Sequence, residues 1–392
     1  MADRPQHRAA LLNDPKVRSI VFQFVLVAVV ALLVYVAATN VIEHLQRTHI
    51  ASGFGFWNNA AGFDISQTLI PYSANASTYG QAFWVGLLNT LLVAGLGIIL
   101  ATILGFLIGI ARLSSNWLVA RAASGYVETI RNIPLLLQLL FWYNAVLKSL
   151  PEMRDSIVWF GGVYLNNRGL TLPAPVPRPG LEPVGIGFVL AIVAAIAFAF
   201  WARRRQQHTG KQAPVGIVAL ALIIALPLLT FAVAGAPLGF DWPKAGRFNI
   251  AGGMEVLPEF AALLLGLSIY TAAFIAEVVR AGILAVSKGQ VEAAYSLGLK
   301  PTPTLRLIVI PQAMRVIIPP LTSQYLNLTK NSSLAVAIGY PDLVQVFTGT
   351  VLNQTGQALE VVAITMLVYL TISLVTSAAM NIYNARMALV ER

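Results

Sequence analysis

Cysteine is absent from the 392 residues. That excludes disulfide scaffolds, thiolate metal sites and cysteine nucleophiles together. Histidine is scarce: His7, His44, His49 and His208 are the whole set. All four lie outside the apolar stretches, and neither an HExxH run nor a His pair at helical spacing occurs, so no metal centre is expected. Charge is thin as well, with Asp, Glu, Lys and Arg at 11% against about 25% in a soluble globular protein. Also missing is any GxxxxGK(S/T) run, so the chain has no phosphate-cradling loop of the kind that hydrolyses ATP. No Ser/His/Asp set and no paired carboxylates gather in one place, which leaves no visible nucleophile or acid–base pair. No long-period repeat of the solenoid kind is present.

Apolar residues are what fill the chain. They make up 57%, and the mean hydropathy is +0.73, which rules out a soluble enzyme and a disordered protein alike. The net charge of +10 fits either a nucleic-acid binder or a membrane protein with cations held on its cytoplasmic side. Position decides between them. A helix needs roughly 20 apolar residues to cross a bilayer, and eight stretches qualify: 20–38, 82–111, 126–147, 184–202, 214–234, 260–283, 316–338 and 361–383. With the N-terminus inside, 17 Lys and Arg fall in cytoplasmic segments and 7 in outer ones. This asymmetry predicts eight spans with both termini cytoplasmic, and it accounts for the basic balance without nucleic acid. The first span reads as a signal anchor, because its apolar stretch exceeds a signal-peptide core and no clean A-x-A site follows at once. Residues 149–183 are rich in Pro and Gly, most densely in Leu172-Pro173-Ala174-Pro175-Val176-Pro177-Arg178-Pro179-Gly180. Such a stretch is extended and predicts a periplasmic loop leading into an inserted pair of spans.

The densest local signal lies between the sixth and seventh spans, at 287–311. Residues 291–297 predict a short Ala-containing helix. Gly298 can take φ > 0 and end it. Thr302 suits an N-cap and Pro303 the first position of a second helix, with Pro311 expected to stop that helix. The outcome is a compact helix–turn–helix knob, in which small Ala293 and Ala294 allow close approach to a partner groove and Glu292 offers one charge.

Here the chain resembles a known family. Glu292-Ala293-Ala294, three residues, Gly298, nine residues, Ile308 and then Pro311 follow the EAA motif of ABC importer permeases, with Ile310 where that family usually has Leu. Six fixed residue types at chosen spacings match by chance on the order of once in ten million starts. The runs Glu128-Thr129-Ile130-Arg131-Asn132-Ile133-Pro134-Leu135-Leu136-Leu137-Gln138, Ala276-Glu277-Val278-Val279-Arg280-Ala281-Gly282 and Leu328-Thr329-Lys330-Asn331-Ser332-Ser333-Leu334 look like the polar amino acid branch. The long insert resembles the Q-type permease subunit of general L-amino acid systems and of glutamate/glutamine/aspartate/asparagine systems.

The resemblance implies an all-α integral membrane protein of the type I importer kind. Its core would be five spans, with the N-terminal span and the inserted pair as additions. The implied division is 1–81 (cytoplasmic N-terminus, first span and periplasmic loop), 82–148 (first part of the core), 149–254 (periplasmic loop and inserted pair) and 255–392 (second part of the core, with the coupling loop 287–311). It further implies a non-catalytic subunit in the bacterial inner membrane that imports polar L-amino acids by alternating access. No cofactor is expected on this chain, since ATP and Mg belong to a separate ATPase dimer docking on the EAA loop. A second permease chain, forming a heterodimer, and a periplasmic amino acid-binding protein complete the implied assembly. Replacing Gly298 is expected to spoil the turn and uncouple hydrolysis from uptake.

Polar residues within the spans are the candidates for the substrate pathway. Thr322, Ser323, Gln324, Tyr325, Asn327, Thr329, Lys330, Asn331, Ser332 and Ser333 crowd the seventh span. A Lys at the bilayer centre costs roughly 2.5–3.5 kcal/mol on insertion scales, so this span must face other helices or a wet cavity. Pro319-Pro320 is expected to kink it. Gln324, Asn327 and Asn331 recur at i, i+3, i+7 and share a face; that face lines a pathway or glues the bundle by interhelical hydrogen bonds. Glu128/Arg131 and Glu277/Arg280 are each spaced i, i+3, and serve either as gates contacting the substrate or as ion pairs that orient helix ends. Asn89 and Thr90 are lesser candidates, since Thr in a membrane helix often bonds back to its own i−4 carbonyl. A different class, the ion-coupled secondary transporter, would need a membrane-centred carboxylate and interrupted helices in matching halves. Only Glu128 and Glu277 among the 16 acidic residues lie within spans, both near the ends.

Overall fold

The computed structural model describes residues 15–47, 52–210, 213–246 and 249–387. In chain order the elements are α1 (Pro15–Arg47), α2 (Tyr79–Ala111), α3 (Trp117–Asn132) and α4 (Leu135–Leu147, π-wound in its second half). The insert follows with β1 (Ile157–Trp159), β2 (Val163–Asn166), β3 (Gly169–Leu172), β4 (Ala174–Pro177), α5 (Glu182–Thr209), α6 (Val215–Val233), β5 (Leu238–Asp241), β6 (Lys244–Ala245), β7 (Ile250–Ala251) and β8 (Met254–Val256). The chain ends with α7 (Pro258–Leu284), α8 (Lys288–Ser296), α9 (Pro301–Thr304), α10 (Ile310–Asn331), α11 (Leu352–Thr355) and α12 (Ala358–Met387). Among the described residues seven helices are long and apolar enough to cross a membrane, and the bent pair α3–α4 is an eighth candidate.

That bent pair departs from the single span expected at 126–147. The two helices meet at 106°. Pro134 has no N–H to continue the helix and pushes the residue before it out of the helical region; Ile133 is extended at φ −99°, ψ 128°. The break strands carbonyls, and Gln138 satisfies two of them: its Nε2 donates to Ile130 O and to Ile133 O, each at 2.9 Å. Glu128 and Arg131 therefore end an amphipathic helix instead of opening a straight span.

The chain divides into two compact units, 1–95 with 285–392, and 96–284. In the second unit α7 is the central helix. The later part of α2 approaches it closely, because Ala101, Gly105 and Gly109 recur every four residues along one face, the small-residue pattern that lets membrane helices meet backbone to backbone. A Cβ on Gly105 would lie 2.5 Å from Ile275 Cγ2, and one on Gly109 2.8 Å from Ala276 O. Helix α3 also packs on α7, where the Tyr126 hydroxyl donates to Ile269 O at 2.6 Å. From the π-wound half of α4 the Tyr143 hydroxyl donates to Glu259 Oε1 at 2.6 Å.

The insert is built around the hairpin α5–α6, which buries Gly187, Ala191 and Ala195 at four-residue spacing. Most of 149–183 is extended, as expected, with Pro175 and Pro177 in strand β4, but Met153–Asp155 forms a 3-10 turn and Pro183 sits in the first turn of α5, where its missing N–H costs nothing. The strands form an antiparallel sheet in the order β1-β2-β3-β8 and two antiparallel ribbons, β4-β5 and β6-β7. Strands before α5 pair with strands after α6, so both connections lie at the same end of the hairpin.

The other unit is centred on α10 and α12 with the start of α2. An aromatic cluster of Phe56, Tyr79, Phe83 and Phe347, flanked by Trp57, Phe63 and Tyr72, caps it. Helix α10 runs unbroken through Pro319 and Pro320. Its beginning corrects another expectation: Pro311 does not stop a helix. A π turn over Leu305–Val309 leads into α10, and the wider turn shifts the carbonyl that a proline ring would otherwise meet.

Candidate functional site

The knob between α7 and α10 forms as a helix and a glycine turn. Helix α8 ends with Leu299 N–H donating to Ala294 O at 3.1 Å and Gly298 N–H to Tyr295 O at 2.9 Å. This is the double bond of a Schellman cap, and it needs a left-handed residue at the turn; Gly298 has φ +77°. The second helix starts two residues earlier than expected, with Lys300 extended before Pro301, instead of Thr302 as cap. Of the motif residues, Glu292 and Ala293 are exposed, whereas Ala294 is 1% exposed and packs inward. Ile308 and Pro311 are half-buried beneath them. Leu297, at the tip, is 82% exposed, so the knob offers an apolar tip beside one carboxylate.

Helix α10 carries the expected polar strip. Ser323, Asn327 and Lys330 are exposed, Gln324 and Asn331 are half-buried, and Leu321, Leu328 and Thr329 form the packed side. Lys330 enters no ion pair among the described residues. Ser332 lies differently: it is fully buried and its hydroxyl donates to Thr329 O at 2.7 Å.

Asn89 and Thr90 are also fully buried. Asn89 Nδ2 donates to Gln67 O and to Pro341 O, both at 2.9 Å. The Thr90 hydroxyl donates to Gly86 O at 2.9 Å and accepts from Leu343 N at 3.0 Å. These side chains tie α2 to the segment 340–343 and have no surface to offer a substrate. The same network holds Asp342, which composition by span did not single out because it lies between the stretches containing α10 and α12. Asp342 is fully buried, with Oδ1 accepting from Gln345 N at 2.8 Å and Oδ2 from the Tyr369 hydroxyl at 3.2 Å. Burial pushes its carboxyl up to about 7, against the backbone amides and the Tyr369 hydroxyl that pull it down.

In the other unit Glu277 gathers three arginines. Its carboxylate pairs with Arg112, with Arg280 at 2.6 Å and, at 4.0 Å, with Arg131. Arg131 also lies 5.1 Å from the Phe274 ring centre. The pair Glu277/Arg280 forms as spaced. Glu128 is exposed and makes no ion pair among the described residues; Arg131 turns to α7 instead. The carboxylate thus links the end of α2, α3 and α7. The signal that could have exposed it is Arg112 at the end of an otherwise uncharged α2. Among the described residues no cluster of His, Asp and Glu could hold a metal ion.

The family model for the binding-protein-dependent transport system inner membrane component matches residues 97–389. The general L-amino acid transport system permease protein AapQ of Rhizobium johnstonii is 56% identical over 381 residues, 97% of this chain and 95% of that one. The putative amino-acid ABC transporter permease protein YhdX of Escherichia coli is 52% identical, covering 97% and 96%. The glutamate/glutamine/aspartate/asparagine transport system permease protein BztB of Rhodobacter capsulatus is 44% identical, again covering 97% and 96%. A solved amino acid ABC transporter with histidines aligns with 79% of this chain and 95% of that chain, at 22% identity and a TM-score of 0.47.

Proposed function

The chain belongs to the family of binding-protein-dependent transport system inner membrane components, as a permease subunit of an amino acid ABC transporter, and from that premise we propose how it works. It imports polar L-amino acids from periplasm to cytoplasm, driven by ATP hydrolysed on a separate ATPase dimer. The observation that carries this reading is the exposed knob, where Glu292, Ala293 and Leu297 face outward over a capped turn. A short capped helix is stiff enough to carry a push from a docked partner through α9 and the π turn into α10.

Both termini and the knob are cytoplasmic, and the insert is periplasmic. The chain leaves the insert into α7 and leaves α7 into the knob, so a spanning α7 separates the two. Segments 82–148 and 255–392 form the transport core, and 149–254 is an addition to it. The pathway follows the strip of Gln324, Asn327, Lys330 and Asn331. An unpaired ammonium facing lipid is costly, whereas in a wet channel shared with a second permease chain it attracts the carboxylate of a passing amino acid. A periplasmic binding protein delivers that amino acid, and alternating access follows from closure of the ATPases.

The test is co-purification of the tagged chain from native membranes, then uptake by vesicles that hold the recovered assembly. An ATPase subunit, a second permease and uptake that requires ATP and binding protein are expected. Uptake driven by a sodium or proton gradient without ATP would replace this reading with a secondary transporter.

A further inference from the structure

The insert holds a cleft for which the transport reading has no task. It encloses about 230 Å³, and its walls include Asn166, Arg168, Thr171, Asn249 and Glu255. The strand register brings these together. Thr171 pairs with Tyr164 on one side and Glu255 on the other, and Asn166 pairs with Gly169. Side chains alternate along a strand, so Asn166, Thr171 and Glu255 share one face. Arg168 stands in the β2–β3 turn, three residues and about 10 Å along the strand from Thr171. The guanidinium and the carboxylate therefore flank the same space. Neither enters an ion pair among the described residues.

The floor and rim are held in place. Asn166 is 2% exposed; its Oδ1 accepts from Arg168 N at 2.8 Å and its Nδ2 donates to Ser156 Oγ at 3.0 Å. Across the cleft the turn at Gly252-Gly253 is pinned by Asp241, whose Oδ2 accepts from Gly253 N at 3.0 Å. A cation on the β2–β3 turn and an anion on strand β8 thus stand over a polar floor, with their charges unspent on each other.

A free α-amino acid presents a carboxylate and an ammonium on adjacent groups. The planar guanidinium suits a carboxylate, because its fork of N–H donors matches the two oxygens. The glutamate carboxylate suits the ammonium. A peptide interior has neither charge, and a simple anion or amine would satisfy only half of the cleft. We propose that this cleft binds the zwitterionic end of a free α-amino acid, with the carboxylate on Arg168 and the ammonium on Glu255. The inference rests on the transport reading, which puts the insert on the periplasmic face where such a ligand is released. It is a second, weak site, apart in sequence from the strip on α10.

The test uses the assembled transporter in nanodiscs, without binding protein, and saturation-transfer NMR with L-glutamine as the probe. Saturable transfer to L-glutamine is expected. Arg168→Gln and Glu255→Gln should each weaken binding at least about tenfold. Propionate and propylamine should not displace L-glutamine. Glu255 is exposed and its carboxylate enters no ion pair among the described residues, so Glu255→Gln remains informative even if Arg168→Gln folds poorly. No saturable signal, or an undiminished one in Glu255→Gln, overturns the proposal. ATP-driven uptake is measured separately, on the same assembly reconstituted in closed vesicles with binding protein supplied. Uptake with no cleft binding discards the cleft alone, whereas absence of amino acid uptake discards the transport reading on separate grounds.

Discussion

Gly298 allows the coupling turn to be tested quantitatively. Its φ of +77° lies in the left-handed region, and a Cβ built there would meet no atom within 4 Å. Any substitution therefore acts through backbone conformation and not through collision. A left-handed residue with a β-carbon costs about 1–2 kcal/mol, which is a factor of about 5–30 in the population of the intact turn. Asn tolerates this region better than Ala, and a β-branched residue tolerates it worst. Gly298→Asn, Gly298→Ala and Gly298→Val should accordingly form a graded series. The assay is amino acid taken up per ATP hydrolysed by the reconstituted transporter, with hydrogen exchange at the Leu299 amide as a structural reading, since that amide is bonded to Ala294 O only when the cap is closed. Coupling and protection should fall together in the order Asn, Ala, Val. Full coupling in Gly298→Val, or an order that follows side-chain size so that Asn is as damaging as Val, would refute the reasoning.

Three other perturbations test the packing around the site. Glu277→Gln leaves Arg112, whose side chain is 11% exposed, without its counter-charge and should cost about 3 kcal/mol by chemical unfolding in detergent; a loss below about 1 kcal/mol would show that the cluster contributes little. Gly109→Leu must push α7 away and should cost about 1–3 kcal/mol, while Gly95→Ala, where a Cβ meets nothing within 4 Å, should be close to neutral by the same measurement. Asp342 supplies a pH dependence. Its folded value of about 7 lies above the ordinary 3.8, so the contribution is full below pH 4 and is lost as pH rises to 7. Melting temperatures should fall over that window relative to Asp342→Asn, and parallel curves for the two proteins would contradict the burial argument.

Much of the site was legible because its causes are local. Gly298 announces a helix end through its own backbone freedom, and the EAA motif needs only the twenty neighbouring residues from Glu292 to Pro311. The strip of Gln324, Asn327 and Asn331 follows from helical periodicity alone. Pro134 likewise announced a break, yet the 126–147 stretch read as one span because apolar length outweighed a single proline. Pro311 misled in the opposite direction, since a π turn can absorb a proline that hydropathy and capping rules treat as a stop.

Partners distant in sequence were not legible. Asn89 and Thr90 read as pathway residues, but both are buried, with the Asn89 amide donating to Gln67 O and Pro341 O and the Thr90 hydroxyl accepting from Leu343 N. Arg131 was matched to Glu128 by spacing, and the packing of α3 on α7 gave it to Glu277 instead. Arg168 and Glu255 stand 87 positions apart and meet only because β3 pairs with β8 across the α5–α6 hairpin. The sequence by itself determined where the long apolar helices lie and what turn the knob makes, because chain length against bilayer thickness and backbone propensity act within a few turns. Which polar groups are spent on packing and which stay open was decided only by the tertiary structure, because a buried donor or charge takes whichever partner packing brings within reach.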